Sequence, residues 1–285
     1  MESEIINGFK FQKGIDGSKK LIIESSKLDA CIKYVLEENI KTITINCFQG
    51  YELTNIDFLG ELSSVLEGLH LPETKFNNQI VNTLHNLKYL GLADNKKDII
   101  DLSNFPKLES LACDYSWRLK KIETCINLKS LGLTGYKSKS KDLSELPFFL
   151  QLEKFFLFRT DIVSMQGINH FVNLKTLEIF GASKLEAISP LRDLSNSLEE
   201  VQVEQCKKVN DFESLGKVKS LKKIILSESG EMKTLSFIKE LPNLEFISFW
   251  GTNVLDGNIK YCEGINYVGF DNKKHYNLKL EQFKE

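Results

Sequence analysis

The side chains able to carry chemistry are few and scattered. Histidine stands at His70, His85, His170 and His275, none in the H-E-x-x-H or H-x-E spacing that gathers metal ligands or a base on one helix face. His275 beside Tyr276, in "KKHYN", is the best catalytic-looking pair, an imidazole next to a phenol able to relay a proton. No nucleophile or metal ligand is identifiable near it, so a proton relay there would have nothing to act on. The six cysteines, Cys31, Cys47, Cys113, Cys125, Cys206 and Cys262, form no C-x-x-C pair and match neither a zinc site nor a disulfide framework. They read as reduced thiols filling small core positions. Neither G-x-x-x-x-G-K-[ST] nor G-x-G-x-x-G occurs, so no loop is built to cradle phosphate. "KSKSK" (137–141) reads as a solvated loop. No catalytic, cofactor or metal site is expected, and the protein is not read as an enzyme.

The elements that would position any site come from a repeat. "NLKYLGL" (86–92), "NLKSLGL" (127–133), "NLKTLEI" (173–179) and "NLEFISF" (243–249) are one phrase, with looser copies such as "KLESLAC", "QLEKFFL", "SLEEVQV" and "SLKKIIL". Their first apolar residues form a ladder: Ile40, Leu66, Leu87, Leu108, Leu128, Leu152, Leu174, Leu198, Leu221, Leu244 and Ile265. The steps run from 20 to 26 residues, a period near 22. Behind each strand comes a return with I-x-x-I-x-x-L in outline, as in "LEAISPLRDL" (185–194) and "MKTLSFIKEL" (232–241).

This L-x-x-L-x-L frame is the signature of leucine-rich repeats, and over residues 40–272 it resembles the 22-residue repeats of bacterial internalin-like and SDS22-like proteins. The resemblance implies an α/β repeat solenoid: a leucine-rich repeat superhelix with a parallel β-sheet on the concave face and short helical or irregular returns on the convex face. Such proteins usually carry Asn three residues after the last strand leucine. Here that slot holds Asn95, Ser116, Tyr136, Thr160, Ala182, Cys206, Ser229 and Thr252, a ladder broken at Tyr136 and Ala182.

A single domain over 1–285 is expected, with about eleven repeats in 40–272 between two caps. Residues 1–39 read as a hairpin-helix cap: strands "GFKFQ" and "KKLIIE" around "GIDG", then a helix with Leu28, Ile32, Val35 and Leu36 on its apolar stripe and Ser26 as N-cap. Residues 273–285 read as the C-terminal cap.

Composition narrows the class. The 285 residues are 42% hydrophobic and 27% charged with a net charge of −2, which suits a globular protein and argues against nucleic-acid binding. The start "MESEIINGFKFQKG" lacks the basic and apolar regions of a leader, and no apolar stretch reaches membrane-span length. A cytoplasmic location, with no membrane association, is the expectation.

In the frame, the third, fifth and seventh places alternate away from the core. Early turns place Gly68, Gly91, Ala112 and Gly132 there, predicting a shallow trough, with His70 a candidate contact residue. His85 and His170 fall on the returns, at the surface. Later turns place Phe156, Phe158 and Phe180, then Glu178, Glu200 and Glu204, then Phe246, Trp250 and Tyr267. Nothing in the repeat calls for aromatics at these places, so they are the expected site for a protein partner with a basic contact surface. The expected function is an immunity-type inhibitor that occludes a toxin or effector, a monomer when free. The alternative is a scaffolding subunit that redirects a partner enzyme.

Overall fold

A computed structural model of the chain describes residues 3–14 and 18–283. By its internal contacts the chain divides into two compact units, Met1–Leu128 and Lys129–Glu285.

The first unit opens with β1 (Ser3–Ile6) and β2 (Phe9–Lys13), antiparallel about Asn7-Gly8. Both turn residues have positive φ, 51° and 82°, the conformation that favours Asn-Gly in two-residue hairpins. β1 lies upstream of the expected hairpin. β2 then pairs antiparallel with β3 (Lys19–Ile22), as expected from "GFKFQ" and "KKLIIE"; Ile15–Gly17 of the turn lie outside the described residues.

Helix α1 (Leu28–Glu37) follows, burying Cys31 and Val35. Two expectations about it fail. Ser26 is not its N-cap: Ser25–Lys27 form a 3₁₀ turn and the helix starts a turn later, without a side-chain cap. Leu36 is not on the buried stripe; one position beyond Val35, it has rotated to the rim and is 44% exposed. The unit continues with β4 (Thr42–Thr44), β5 (Gly68–Leu71), β6 (Tyr89–Leu92), β7 (Ile100–Asp101), β8 (Ser110–Asp114) and β9 (Leu119–Lys120). β3, β4, β5, β6 and β8 neighbour one another in parallel, while β7 and β9 pair separately on the returns.

The second unit is a run of parallel strands: β10 (Ser130–Thr134), β11 (Lys154–Phe158), β12 (Thr176–Phe180), β13 (Glu200–Glu204), β14 (Lys223–Ser227), β15 (Phe246–Ser248) and β16 (Tyr267–Gly269). Every pairing keeps the repeat frame, so Leu131, Phe155, Leu177, Val201, Ile224, Ile247 and Val268 lie in one row. Alternation then sorts the faces. Along β11, Phe155 and Leu157 are fully buried, while Phe156 is half-buried and Phe158 is 37% exposed on the other side.

The returns have a different period. Ile162, Met165, Ile168 and Phe171 are spaced by three and all buried, as are Leu185, Ile188, Leu191 and Leu194, and Val209, Phe212, Leu215 and Val218. A period of three suits a 3₁₀ helix, whose side chains at i and i+3 eclipse. Short 3₁₀ segments duly form at Ile168–His170, Ser189–Leu194 and Phe212–Lys217.

Two ladders join successive turns of the second unit. The residue after each seventh place is left-handed: Gly135, Arg159, Gly181, Gln205, Glu228 and Gly251. From Gly135 to Glu228, its N–H donates to the seventh-place carbonyl of the next turn, at 2.8–3.0 Å. The second place carries charge that alternates in sign: Lys129, Glu153, Lys175, Glu199, Lys222 and Glu245. Lys175 pairs with Glu153 at 3.1 Å and Lys222 with Glu199 at 2.8 Å. The first unit has the same order, Lys41, Glu67, Lys88 and Glu109, with Lys88 2.7 Å from Glu67.

The polar slot behind the strands is partly filled. Asn95 donates to Phe76 O at 2.8 Å and accepts from the amides of Lys97 and Asp98. Thr160 donates to Tyr136 O at 2.8 Å, which satisfies a backbone group where the ladder is broken. Cys206, whose thiol burial pushes up to about 11, donates to Glu204 O.

Two outcomes follow from this division of labour. Phe155→Ala should cost about 3–5 kcal/mol and Phe158→Ala less than about 1 kcal/mol, read as urea midpoints. Lys222→Glu should set like charge against Glu199 and lower the melting midpoint, by an amount that shrinks as salt is added.

Candidate functional site

The outward face of the second unit is built by register. Third places align as Lys154, Thr176, Glu200, Lys223, Phe246 and Tyr267. Fifth places align as Phe156, Glu178, Gln202, Ile225, Ser248 and Gly269, and seventh places as Phe158, Phe180, Glu204 and Ser227, with Trp250 just beyond β15. All nine residues expected to bind a partner lie on this face. They are not one cluster.

Phe158 stands directly beside Phe180, and Phe156 beside Glu178, on β11 and β12. Phe246 stacks on Tyr267, centroids 4.2 Å apart and planes 8° from parallel. A Cβ added at Gly269 would lie 3.1 Å from Trp250 Nε1 and 3.2 Å from the Tyr267 hydroxyl, so both rings close over that glycine. Trp250 is 40% and Tyr267 47% exposed. With strands about 4.8 Å apart, the two aromatic groups are separated by the width of β13 and β14.

That saddle is charged but not simply acidic. Lys223 Nζ lies 3.3 Å from Glu200 and 5.7 Å from the Phe246 ring centroid, so one expected acid already has a cation. Gln202 donates to Glu204. Glu178 is the perturbed group: burial, with Glu200 and Glu204 nearby, raises its carboxyl pKa against the pull of Lys223 and Lys154. Lys223, Gln202 and Ile225 belong to the face as much as the residues singled out from sequence. The same alternation places them there; what drew no attention was their ordinary character.

Elsewhere the structure reassigns several residues. The early trough is filled at two of its places: a Cβ at Gly68 would meet Thr42 Oγ1 at 2.7 Å, and one at Gly91 would meet His70 at 2.6 Å and the Tyr89 hydroxyl at 2.7 Å. These two glycines make room for neighbouring side chains rather than for a foreign backbone, while Ala112, further along, is exposed. His70 bonds Thr44 Oγ1 at 3.1 Å, and burial, helped by Lys20, pushes its pKa down to about 4. His85 is exposed and bonds Asn104 O at 3.0 Å, while His170 is half-buried, bonding Leu146 O at 2.7 Å beneath Phe148. Both tie one return to the next.

The His275–Tyr276 pair clamps the backbone of one residue, Val254, through the two peptide groups that flank it. Tyr276 is buried, its hydroxyl accepting from Val254 N–H at 3.0 Å, while His275 Nε2 lies 2.9 Å from Val254 O. The "KSKSK" loop is held as well as solvated: Ser138 is buried, Glu145 accepts from the amides of Lys139 and Ser140, and Lys141 pairs with Asp161 at 2.6 Å.

No protein-family model matches the sequence, and no curated protein matches it. Solved structures do. The functional domain of InlJ from Listeria monocytogenes, which includes a cysteine ladder, is 15% identical and matches 82% of this chain with a TM-score of 0.50. The chain spans 62% of that one. The fold is a leucine-rich-repeat solenoid. An internalin, InlF, of the same species matches 90% of this chain and 86% of its own at 16% identity and TM-score 0.46. A leucine-rich-repeat protein of Leptospira interrogans matches 82% of this chain and 79% of its own at 15% identity and TM-score 0.37. Among the described residues, no helix of this leucine-rich-repeat chain is long and apolar enough to cross a membrane.

A carboxyl whose folded pKa is raised destabilises the fold once ionised, and stops doing so as falling pH protonates it. Glu178→Gln should therefore raise the urea midpoint at pH 7, and the gain should vanish on acidification through the carboxylate range.

Proposed function

We propose that the protein is a binding module whose outward sheet face in the second unit holds another protein. One observation carries the reading: Phe158, Trp250 and Tyr267 are each more than a third exposed on a single face, with Phe156, Phe180 and Phe246 half-buried beside them. Soluble proteins rarely leave such a row uncovered unless it meets a partner. Aromatic anchors rimmed by polar groups are also how interface energy is concentrated.

The partner's contact surface is basic in this reading. Glu178 and Glu204 take no ion pair among the described residues, and a cation seated at Glu178 would offset the desolvation that raises its pKa. The most specific version is a cytoplasmic, bacterial, immunity-type inhibitor that covers the working surface of a toxin or effector, the protein being a monomer when free. The absence of any basic excess, with a net charge of −2, favours a protein over a nucleic-acid partner. The repeat phrase runs through both compact units, which supports one leucine-rich-repeat domain over residues 1–285.

The resemblance to SDS22-like repeats supports a second reading, a scaffolding subunit. The two differ in what binding does: an inhibitor abolishes the partner's activity and a scaffold redirects it.

The test is a pull-down with wild type beside the folded triple variant Phe156→Ala/Phe158→Ala/Phe180→Ala. Capture should fall at least about 30-fold, as for loss of one hot-spot anchor. A partner retained unchanged by the variant would place the site elsewhere. Strong weakening by salt would identify the glutamate contacts as part of it.

A further inference from the structure

The last strand has an edge that no described strand pairs. β16 pairs with β15 through Tyr267, whose N–H donates to Glu245 O at 3.0 Å, and Gly269, whose carbonyl accepts from Phe249 N at 2.8 Å. Peptide groups of successive strand residues point to opposite edges, so the N–H and C=O of Val268 face away from β15. Among the described residues no hydrogen bond reaches either group, and no strand lies beyond. A backbone row of this kind is a template for another strand.

A cleft of about 960 Å³ runs along that edge. Its far wall is the C-terminal segment, with Leu278, Leu280 and Phe283 half-exposed toward it. The wall is pinned rather than draped. Lys279 Nζ donates to Lys273 O at 2.6 Å, Leu280 N–H to Asn272 Oδ1 at 2.8 Å, and Phe283 meets Phe270 edge-on at 5.9 Å. The size lies at the upper end of the range for small-molecule pockets. What sets this cleft apart is the strand edge along one side: besides the side chains of Glu263, Asn266 and Gln282 it presents the backbone of β16, opposite an apolar patch of Leu278, Leu280 and Phe283.

We propose that this cleft receives an extended segment of a partner protein as an added strand beside β16, with an aromatic residue next to Tyr267 and an aliphatic residue next to Val268. Side-chain alternation fixes the pattern in either strand direction. A residue beside Tyr267 points to the outward face, where an aromatic ring continues the Phe246–Tyr267 stack. A residue beside Val268 points inward, against Leu278, Leu280 and Phe283. The chain's own last two strands, "FIS" and "YVG", have the same aromatic–aliphatic–small order. The occupant therefore resembles one more turn. Backbone pairing supplies affinity and the two side chains supply selectivity, as in other cases of strand addition. β11 and β12 take no part, so the inference stands apart from the phenylalanine cluster.

The probe is a phage-displayed random peptide library panned on the full chain. Enriched peptides are then measured by fluorescence polarisation on wild type, Val268→Pro, Leu280→Glu and the triple phenylalanine variant. Proline removes an N–H that bonds none of the described residues, a change edge strands tolerate. Enriched peptides should carry adjacent aromatic and aliphatic residues. They should lose at least about tenfold in affinity on Val268→Pro and bind the triple phenylalanine variant as they bind wild type. Should circular dichroism show Val268→Pro unfolded, Leu280→Glu decides by the same tenfold criterion. A library that yields no binders, peptides lacking the pair, or peptides bound equally by the edge variants would overturn the proposal.

Discussion

A strand of three to five residues, the length found in every turn of the second unit, cannot satisfy its own backbone or bury its own side chains. It persists only because the next turn presents an identical strand in the same register. Register is therefore the constraint from which the rest follows. A slip of one residue would send Phe155 and Leu157 outward and Phe156 and Phe158 into the core. Each turn is held against that slip from several sides: a row of buried aliphatic residues, a left-handed residue bonding forward, and a return whose apolar residues recur every third position. These act on different parts of the turn, and all require the same alignment.

Register also separates stability from recognition. The inward places are nearly uniform, since each must fill the same space between neighbours. The outward places range from Gly91 and Gly269 to Phe158 and Trp250, since the fold asks only that they not clash. Gly91 and Gly269 show how far that freedom is used locally: each lacks a side chain so that larger neighbours can lie across it, His70 and Tyr89 in one case, Trp250 and Tyr267 in the other. Glu178 shows its limit. Placed on the outward face yet half-buried among two other carboxylates, it works against the fold while it is charged.

How legible this was from the sequence depended on whether a signal repeated. The buried rows, the strand positions and the faces of all nine candidate residues could be read because the same phrase recurs, and any single copy is corrected by the others. Signals that occur once fared worse. Asn7-Gly8 specifies a hairpin by turn chemistry alone and lies outside the repeat, and Ser26 looked like a cap because the 3₁₀ turn before α1 has no sequence counterpart elsewhere. The trough expected at Gly68 and Gly91 failed for another reason. An absent side chain says nothing about what fills its space, and that depends on neighbours one turn away. Glu200 likewise looked free because its cation, Lys223, lies one turn later and unremarkable in type. His275 and Tyr276 looked chemical because their common target, the backbone of Val254, is remote in sequence.

The alternating charges at the second place have a consequence for how such a chain can change length. In the second unit lysine and glutamate take turns from Lys129 to Glu245, so the pattern repeats only after two turns. Excising one turn, or duplicating one, would leave every buried row intact and yet bring lysine against lysine or glutamate against glutamate at the joint. Excising or duplicating two adjacent turns would leave no such scar. The hydrophobic core counts in ones and the surface counts in twos. The smallest heritable insertion that satisfies both is a pair of turns, and a library of lengthened or shortened variants would be sorted into even and odd members by electrostatics alone.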